Sequence, residues 1–148
     1  MIEVHFDTSI AELDASEIVR VLEAAMAMEG VDLDLSIAIV TDKRIQEINR
    51  EFLGHDWPTD VVTFDLTDDF GGPDAELVVS ADTARREALA RGAEVDAELL
   101  LYCVHGLLHL LDYDDLDPVG RRRMMVRQAQ ILSELGHHVT LDDELSNE

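Results

Sequence analysis

The sequence predicts an α+β layer fold: a small four-stranded mixed sheet with about five helices, one of them central and buried. Three observations predict it. Four short apolar or alternating runs, at 2–6, 35–40, 61–66 and 76–80, have strand length and strand composition. Segments of helical period separate and follow them, opened by capping residues and closed by glycines. Residues 95–111 are apolar nearly all round, the pattern of a helix enclosed by its neighbours.

The elements come in the order βαβαββααα. After the strand at 2–6, Asp14-Ala-Ser-Glu17 reads as a capping box. Ile18, Val21, Leu22, Ala25 and Met26 then recur at helical spacing until Gly30 closes the helix. The apolar run 35–40 is a buried strand. Thr41 caps a second helix whose inner face is Ile45, Ile48 and Phe52, ending at Gly54. A loop, Gly54–Asp60, precedes the strand at 61–66, and a Gly/Pro/Asp-rich loop, Thr67–Ala75, leads to the strand at 76–80. Ser80 caps a helix running to about Arg91, where Gly92 stops it. Asp117-Pro118 opens the last helix, with Pro at the first helical position where its missing N–H costs nothing. That helix packs through Met125, Ala129, Leu132 and Leu135. The expectation is a single domain over residues 1–140 with an acidic, disordered tail at 141–148.

Acidic residues number 33 against 11 basic ones, for a net charge of −22. Such a surface repels polyanions at long range and is not that of a general nucleic-acid binder; it also suits a salt-rich cytoplasm. Four of the few cations, Arg121, Arg122, Arg123 and Arg127, cluster on the last helix and read as a solvated face. No run is long or charge-free enough to span a membrane. The N-terminal MIEVHFDTS lacks the pattern of a secretory signal, so the expected location is cytoplasmic. The single cysteine, Cys103, excludes an internal disulfide and reads as a packed core residue.

Chemistry concentrates in Leu99–Asp117, LLLYCVHGLLHLLDYDDLD. His105 and His109 stand four residues apart, so on a helix their side chains project the same way one turn apart. That spacing presents two imidazole nitrogens to one tetrahedral metal ion. Asp112, Asp114, Asp115 and Asp117 come where the helix should end, and each is a candidate third ligand. Two histidines on a helix and a third donor on the following turn are the layout of a catalytic zinc site with one open position. The other reading, two histidines packed in a core, leaves two imidazoles in an apolar segment with only carboxylates as partners. Gly106 occupies the place of the general-base glutamate of an HExxH protease, which argues against that mechanism and leaves room at the helix surface.

The segment His105-Gly106-Leu107-Leu108-His109-Leu110-Leu111-Asp112-Tyr113-Asp114-Asp115 resembles the signature H-G-x-L-H-L-x-G-Y-D-H of the YbeY family. That family comprises bacterial rRNA maturation factors that are metal-dependent single-strand endoribonucleases. Upstream, Ile48–Phe52 and Asp56–Phe64 resemble the family segment LNxxYRxKDxPTDVLSF. The likeness runs over about residues 45 to 135. Four positions depart from the pattern: Asp115 stands for the third histidine, Asp112 for a glycine, Leu53 for an arginine and His55 for a lysine.

The resemblance implies one zinc ion held by His105, His109 and Asp115, with single-stranded RNA of the small ribosomal subunit as substrate and ribosomal or ribosome-associated proteins as partners. It further implies roles in rRNA 3′-end maturation and ribosome quality control. Asp112 would orient an imidazole or accept a proton. Arg50, three residues before Leu53, would stand in for the missing arginine at the phosphate. Thr59 and Asp60 would line the cleft. Two alternatives remain open: a zinc hydrolase acting on peptides or amides, and a non-catalytic ribosome-assembly factor with a structural metal.

Overall fold

A computed structural model describes residues 1–7, 14–67 and 71–137. The expected acidic tail at 141–148 lies outside them. Ten elements succeed one another: β1 (Ile2–Phe6), α1 (Ala15–Glu29), β2 (Leu35–Val40), α2 (Asp42–Ile48) continued by a π turn (Asn49–Leu53), β3 (Val61–Asp65), β4 (Ala75–Ser80), α3 (Ala81–Arg91), α4 (Val95–Leu110) and α5 (Pro118–Glu134). The strands form one sheet in the order β1-β2-β4-β3. β1, β2 and β4 run parallel, and β3 pairs antiparallel with β4. The sheet is therefore mixed and four-stranded, and five α-helices surround it, as the sequence predicts.

Strand alternation divides the apolar residues between two cores. Leu35, Ile37 and Ile39 of β2, with Leu77 and Val79 of β4, join Leu22 of α1 and Leu100, Val104 and Leu107 of α4 in the larger one. Val40, Val62 and Val78 face the other way and meet Ile45 and Ile48 of α2. Helix α4 is the centre of the larger core: ten of its residues, from Glu98 to Leu108, are buried. Cys103 is fully enclosed among them, and burial pushes its thiol up to about 12. No helix among the described residues is long and apolar enough to cross a membrane.

The caps form largely as their residues dictate. Asp14, Thr41, Ser80 and Asp117 each accept a backbone N–H two or three residues on. The reciprocal half of the expected capping box does not form, because Glu17 turns to Arg20 and His137 instead. A larger difference lies at the end of α2. The π turn adds a residue to the helical repeat and rotates the end of the helix, so Phe52 leaves the predicted inner face and is 62% exposed. Asn49, one turn after Ile45, holds the inner face there and is fully buried. On α5, Met125 and Leu132 are buried and Ala129 and Leu135 half-buried; Met124, Gln128 and Ile131 complete the packed face.

Candidate metal centre

Helix α4 delivers His105 and His109 side by side, their rings edge to face with centroids 4.5 Å apart. The two Nε2 atoms are 3.0 Å from one another. Both also face Asp115 Oδ2, at 4.0 Å from His105 and 3.4 Å from His109. Ligand atoms at about 2.0–2.2 Å from a tetrahedral ion lie roughly 3.4 Å apart. The three separations bracket that value, so the donor set fits a metal ion. Among the described residues, His105, His109 and Asp115 are the group whose donor atoms come together in this way.

The return of Asp115 to the helix depends on how α4 stops. Tyr113 N–H donates to Leu108 C=O and Asp112 N–H to His109 C=O, the paired bonds of a Schellman motif. That motif needs a left-handed residue, and Asp112 supplies it with φ +70°, the one positive φ outside glycine among the described residues. The other acids of the segment have separate work. Asp114 accepts Leu116 N–H at 2.7 Å, closing the turn, and Asp117 caps α5 through Gly120 N–H at 2.6 Å. Of the four acids, Asp115 alone belongs to the metal-capable group.

The turn is fastened from outside by α5 and α1. Tyr113 hydrogen-bonds to Glu29 of α1, Arg127 donates to the same carboxylate at 2.9 Å, and Arg123 lies over the Tyr113 ring. Arg121 donates to Asp115 C=O at 3.4 Å. The arginine cluster is therefore not a simple solvated face: three of its four members clamp the ligand-bearing turn. Gln128, buried on α5, accepts from His105 Nδ1. That bond places the proton on Nδ1 and leaves the Nε2 lone pair facing the donor cluster, as a metal ligand requires. Burial, and then the neighbouring His105, hold His109 below the usual histidine range and so favour its neutral, coordinating form.

Beside His109 opens a cleft of about 490 Å³, lined by Asn49, Leu53, His55, Thr59, the β3 residues 61–63, Asp65, Leu110 and Asp112. Asn49 holds its far lip, donating to Trp57 C=O at 2.9 Å and Thr59 Oγ1 at 3.2 Å. Thr59 reaches the cleft as expected, but Asp60 is not among the lining residues. Its carboxylate accepts Val61 N–H and its carbonyl accepts Ser80 N–H, tying β3 to β4. Arg50 is also outside the lining; it is exposed, 3.6 Å from Asp56. Gly106 does not leave room beside the ion. A Cβ there would stand 3.1 Å from Val61, 3.2 Å from Leu77 and 3.3 Å from Thr63 Oγ1. The space is taken by the sheet because α4 lies directly on β3 and β4.

Sequence reasoning missed Gln128 and Asn49. Gln128 does leave a signal, as a lone amide among Met124, Met125, Ile131 and Leu132 on an apolar face. Asn49 leaves one too, as a polar residue one turn after Ile45 on the same helical stripe.

Two histidines on a buried helix, a carboxylate on the turn after it and an open cleft alongside define the kind of centre that metallohydrolases use. The profile of the family described as Endoribonuclease YbeY matches residues 3–136, and the chain belongs to that family. Among its relatives, Endoribonuclease YbeY of Bacillus licheniformis is 36% identical over 134 residues, covering 82% of this chain and 85% of that protein. The Moorella thermoacetica protein of the same name is 37% identical over 145 residues, covering 88% and 92%. A Thermotoga maritima protein solved in solution matches with a TM-score of 0.63 at 27% identity, covering 99% of this chain and 93% of its own.

Proposed function

We propose that this chain is a zinc-dependent endoribonuclease that cuts single-stranded RNA, with His105, His109 and Asp115 as the ligands of one ion. The observation that carries the proposal is the convergence of three donor atoms at the edge of an open cleft, in a chain whose relatives are named endoribonucleases. Zinc in such a site polarises a phosphate oxygen and lowers the pKa of a bound water to about 7. With Asp115 in place of a third histidine, a bound dication would leave the site less positive, and a water on it would be less acidic. Gln128 orients His105, and Asp112, which lines the cleft, would accept a proton from an attacking water. Arg50 contributes to the phosphate only by leaving Asp56.

In the cell the reading is of a cytoplasmic enzyme acting on the 3′ end of small-subunit rRNA and in ribosome quality control, docked by ribosomal or ribosome-associated proteins. Docking by protein contacts accommodates the net charge of −22. Two observations weigh against the alternatives. Position 106 is packed against the sheet, so no base can stand there for peptide hydrolysis. The metal-capable group has three members, without Asp112, which leaves a position for water that a structural metal would not need.

The test pairs metal analysis of the purified protein with cleavage of single-stranded RNA before and after chelation. About one zinc per chain, activity lost on chelation and restored by zinc, and no activity in His105→Ala are expected. Metal-replete protein inert on free RNA and on ribosomal particles would move the assignment to an assembly factor.

A further inference from the structure

The cleft meets the metal-capable group with a lining that contains no lysine and no arginine. Two of its residues, Asp65 and Asp112, are acids. Affinity for RNA ordinarily comes from cations that displace counterions from phosphates, each neutralised phosphate adding about −0.7 to the salt slope of a single strand. No lining side chain does that, and Arg50, outside the lining, is paired with Asp56 at 3.6 Å. The far lip instead carries apolar and aromatic groups. Leu53 is 48% exposed and Trp57 58% exposed. His55, which lines the cleft, stacks on the Trp57 indole with centroids 4.3 Å apart and planes 22° from parallel. Exposed apolar and aromatic side chains grouped beside a site, rather than scattered singly, mark a surface that takes a partner.

The lip is also held rigid. Asn49 grips Trp57 C=O and Thr59 Oγ1 from its buried position, while Gln46 donates to the carbonyl and carboxylate of Asp56. The backbone on both sides of the indole is thus set before anything binds. A preformed flat ring beside a polyanion-cleaving site, in a lining without cations, suits the one part of a single strand that carries no charge, its unpaired base.

We infer that Trp57, backed by His55, is a base-stacking platform that holds an unpaired nucleobase of the RNA strand at the lip of the cleft. This rests on the reading of single-stranded RNA as substrate and assigns the source of its affinity. Base stacking works on unpaired bases, so the platform also selects single strands over duplex. Because neither Trp57 nor His55 needs a particular base edge, the platform tolerates any sequence.

Trp57 is the only tryptophan in the chain, so its fluorescence reports on the platform without substitution. The zinc-loaded full chain would be titrated with a short single-stranded 2′-O-methyl oligonucleotide, with its duplex, and with the same strand carrying abasic sites. Quenching by the single strand, little by the duplex or the abasic strand, and a salt slope shallower than about −1 are expected. In cleavage of the natural strand, Trp57→Ala should raise KM about 5–150-fold with kcat held, and Trp57→Phe should restore most of it. The indole is exposed, and the carbonyl that Asn49 grips survives the change to alanine, so the variant keeps the lip.

RNA cleaved with no quenching, or with an unchanged KM in Trp57→Ala, overturns the platform and leaves Trp57 to a protein partner. A salt slope of about −3 or steeper overturns it in favour of phosphate contacts. Quenching without cleavage keeps the platform and removes the nuclease reading. Neither quenching nor cleavage removes both.

Discussion

Gln128 and His105 come from successive helices, α5 and α4, and the amide oxygen of one fixes the tautomer of the other. The imidazole can then offer its Nε2 lone pair only toward His109 and Asp115. Replacing Gln128 with leucine keeps the packing volume on α5 and removes this hold. Zinc affinity, measured by competition with a chromophoric chelator, should fall about 10–100-fold. An unchanged affinity would show that α4 alone orients the ring.

The turn after α4 separates ligand from geometry. Asp115→Ala should weaken metal binding, whereas Asp115→His should keep or tighten it, since imidazole and carboxylate are alternative zinc donors. Asp112→Gly should leave metal affinity intact and raise thermal stability by up to about 1 kcal/mol, because a left-handed residue is relieved of its Cβ. Loss of metal in Asp112→Gly but not in Asp115→Ala would reverse the assignment.

Leu53 lines the cleft and is half exposed, so a longer side chain at this position can extend into solvent and need not enter the core. An arginine there gains access to a bound phosphate. One such donor is commonly worth about 10²–10³ in rate. Leu53→Arg should raise single-strand cleavage at least tenfold, and Arg50→Ala should lower it if Arg50 currently serves the phosphate. Arg50→Ala with full activity would assign that arginine to Asp56 alone.

Away from the site, Asp42 joins the starts of α2 and α3. Burial pushes its carboxyl up, but hydrogen bonds from Ser80, Arg86 and Thr83 outweigh it and hold the group below its ordinary value of 3.8. A carboxylate held low when folded stabilises the protein above its unfolded value and loses that contribution as pH falls through the folded one. Asp42→Asn should therefore cost about 1.5–3 kcal/mol near neutral pH by urea unfolding. The gap between variant and native protein should close as pH falls below 3.8. A gap that persists in acid would make the cost one of packing.

Much of this was legible in the sequence because it depends on local pattern. The two histidines of α4 are four apart on a helix whose all-round apolarity is plain, and Asp117-Pro118 marks the start of α5 without ambiguity. What escaped depends on contacts distant in sequence or on helical register. Phe52 keeps α-helical spacing from Ile45 and Ile48, and only the π turn sends it outward. Arg123 and Arg127 look like solvated charges until Tyr113 and Glu29 are seen beside them. Gly106 reads as open room beside an ion, because no sequence pattern says that a strand pair lies against it.

That glycine has a mechanical consequence. The cleft is walled on one side by β3 and on another by the end of α4, and the two walls touch at position 106, where Val61, Leu77 and Thr63 stand within 3.3 Å of where a Cβ would be. A single hydrogen atom thus acts as the spacer that gauges the mouth of the site. Any side chain inserted there would work as a shim, prying the helix from the strands and carrying His105 and His109 with it. The aperture offered to a substrate is set by the thinnest residue in the chain, at a point the substrate never reaches.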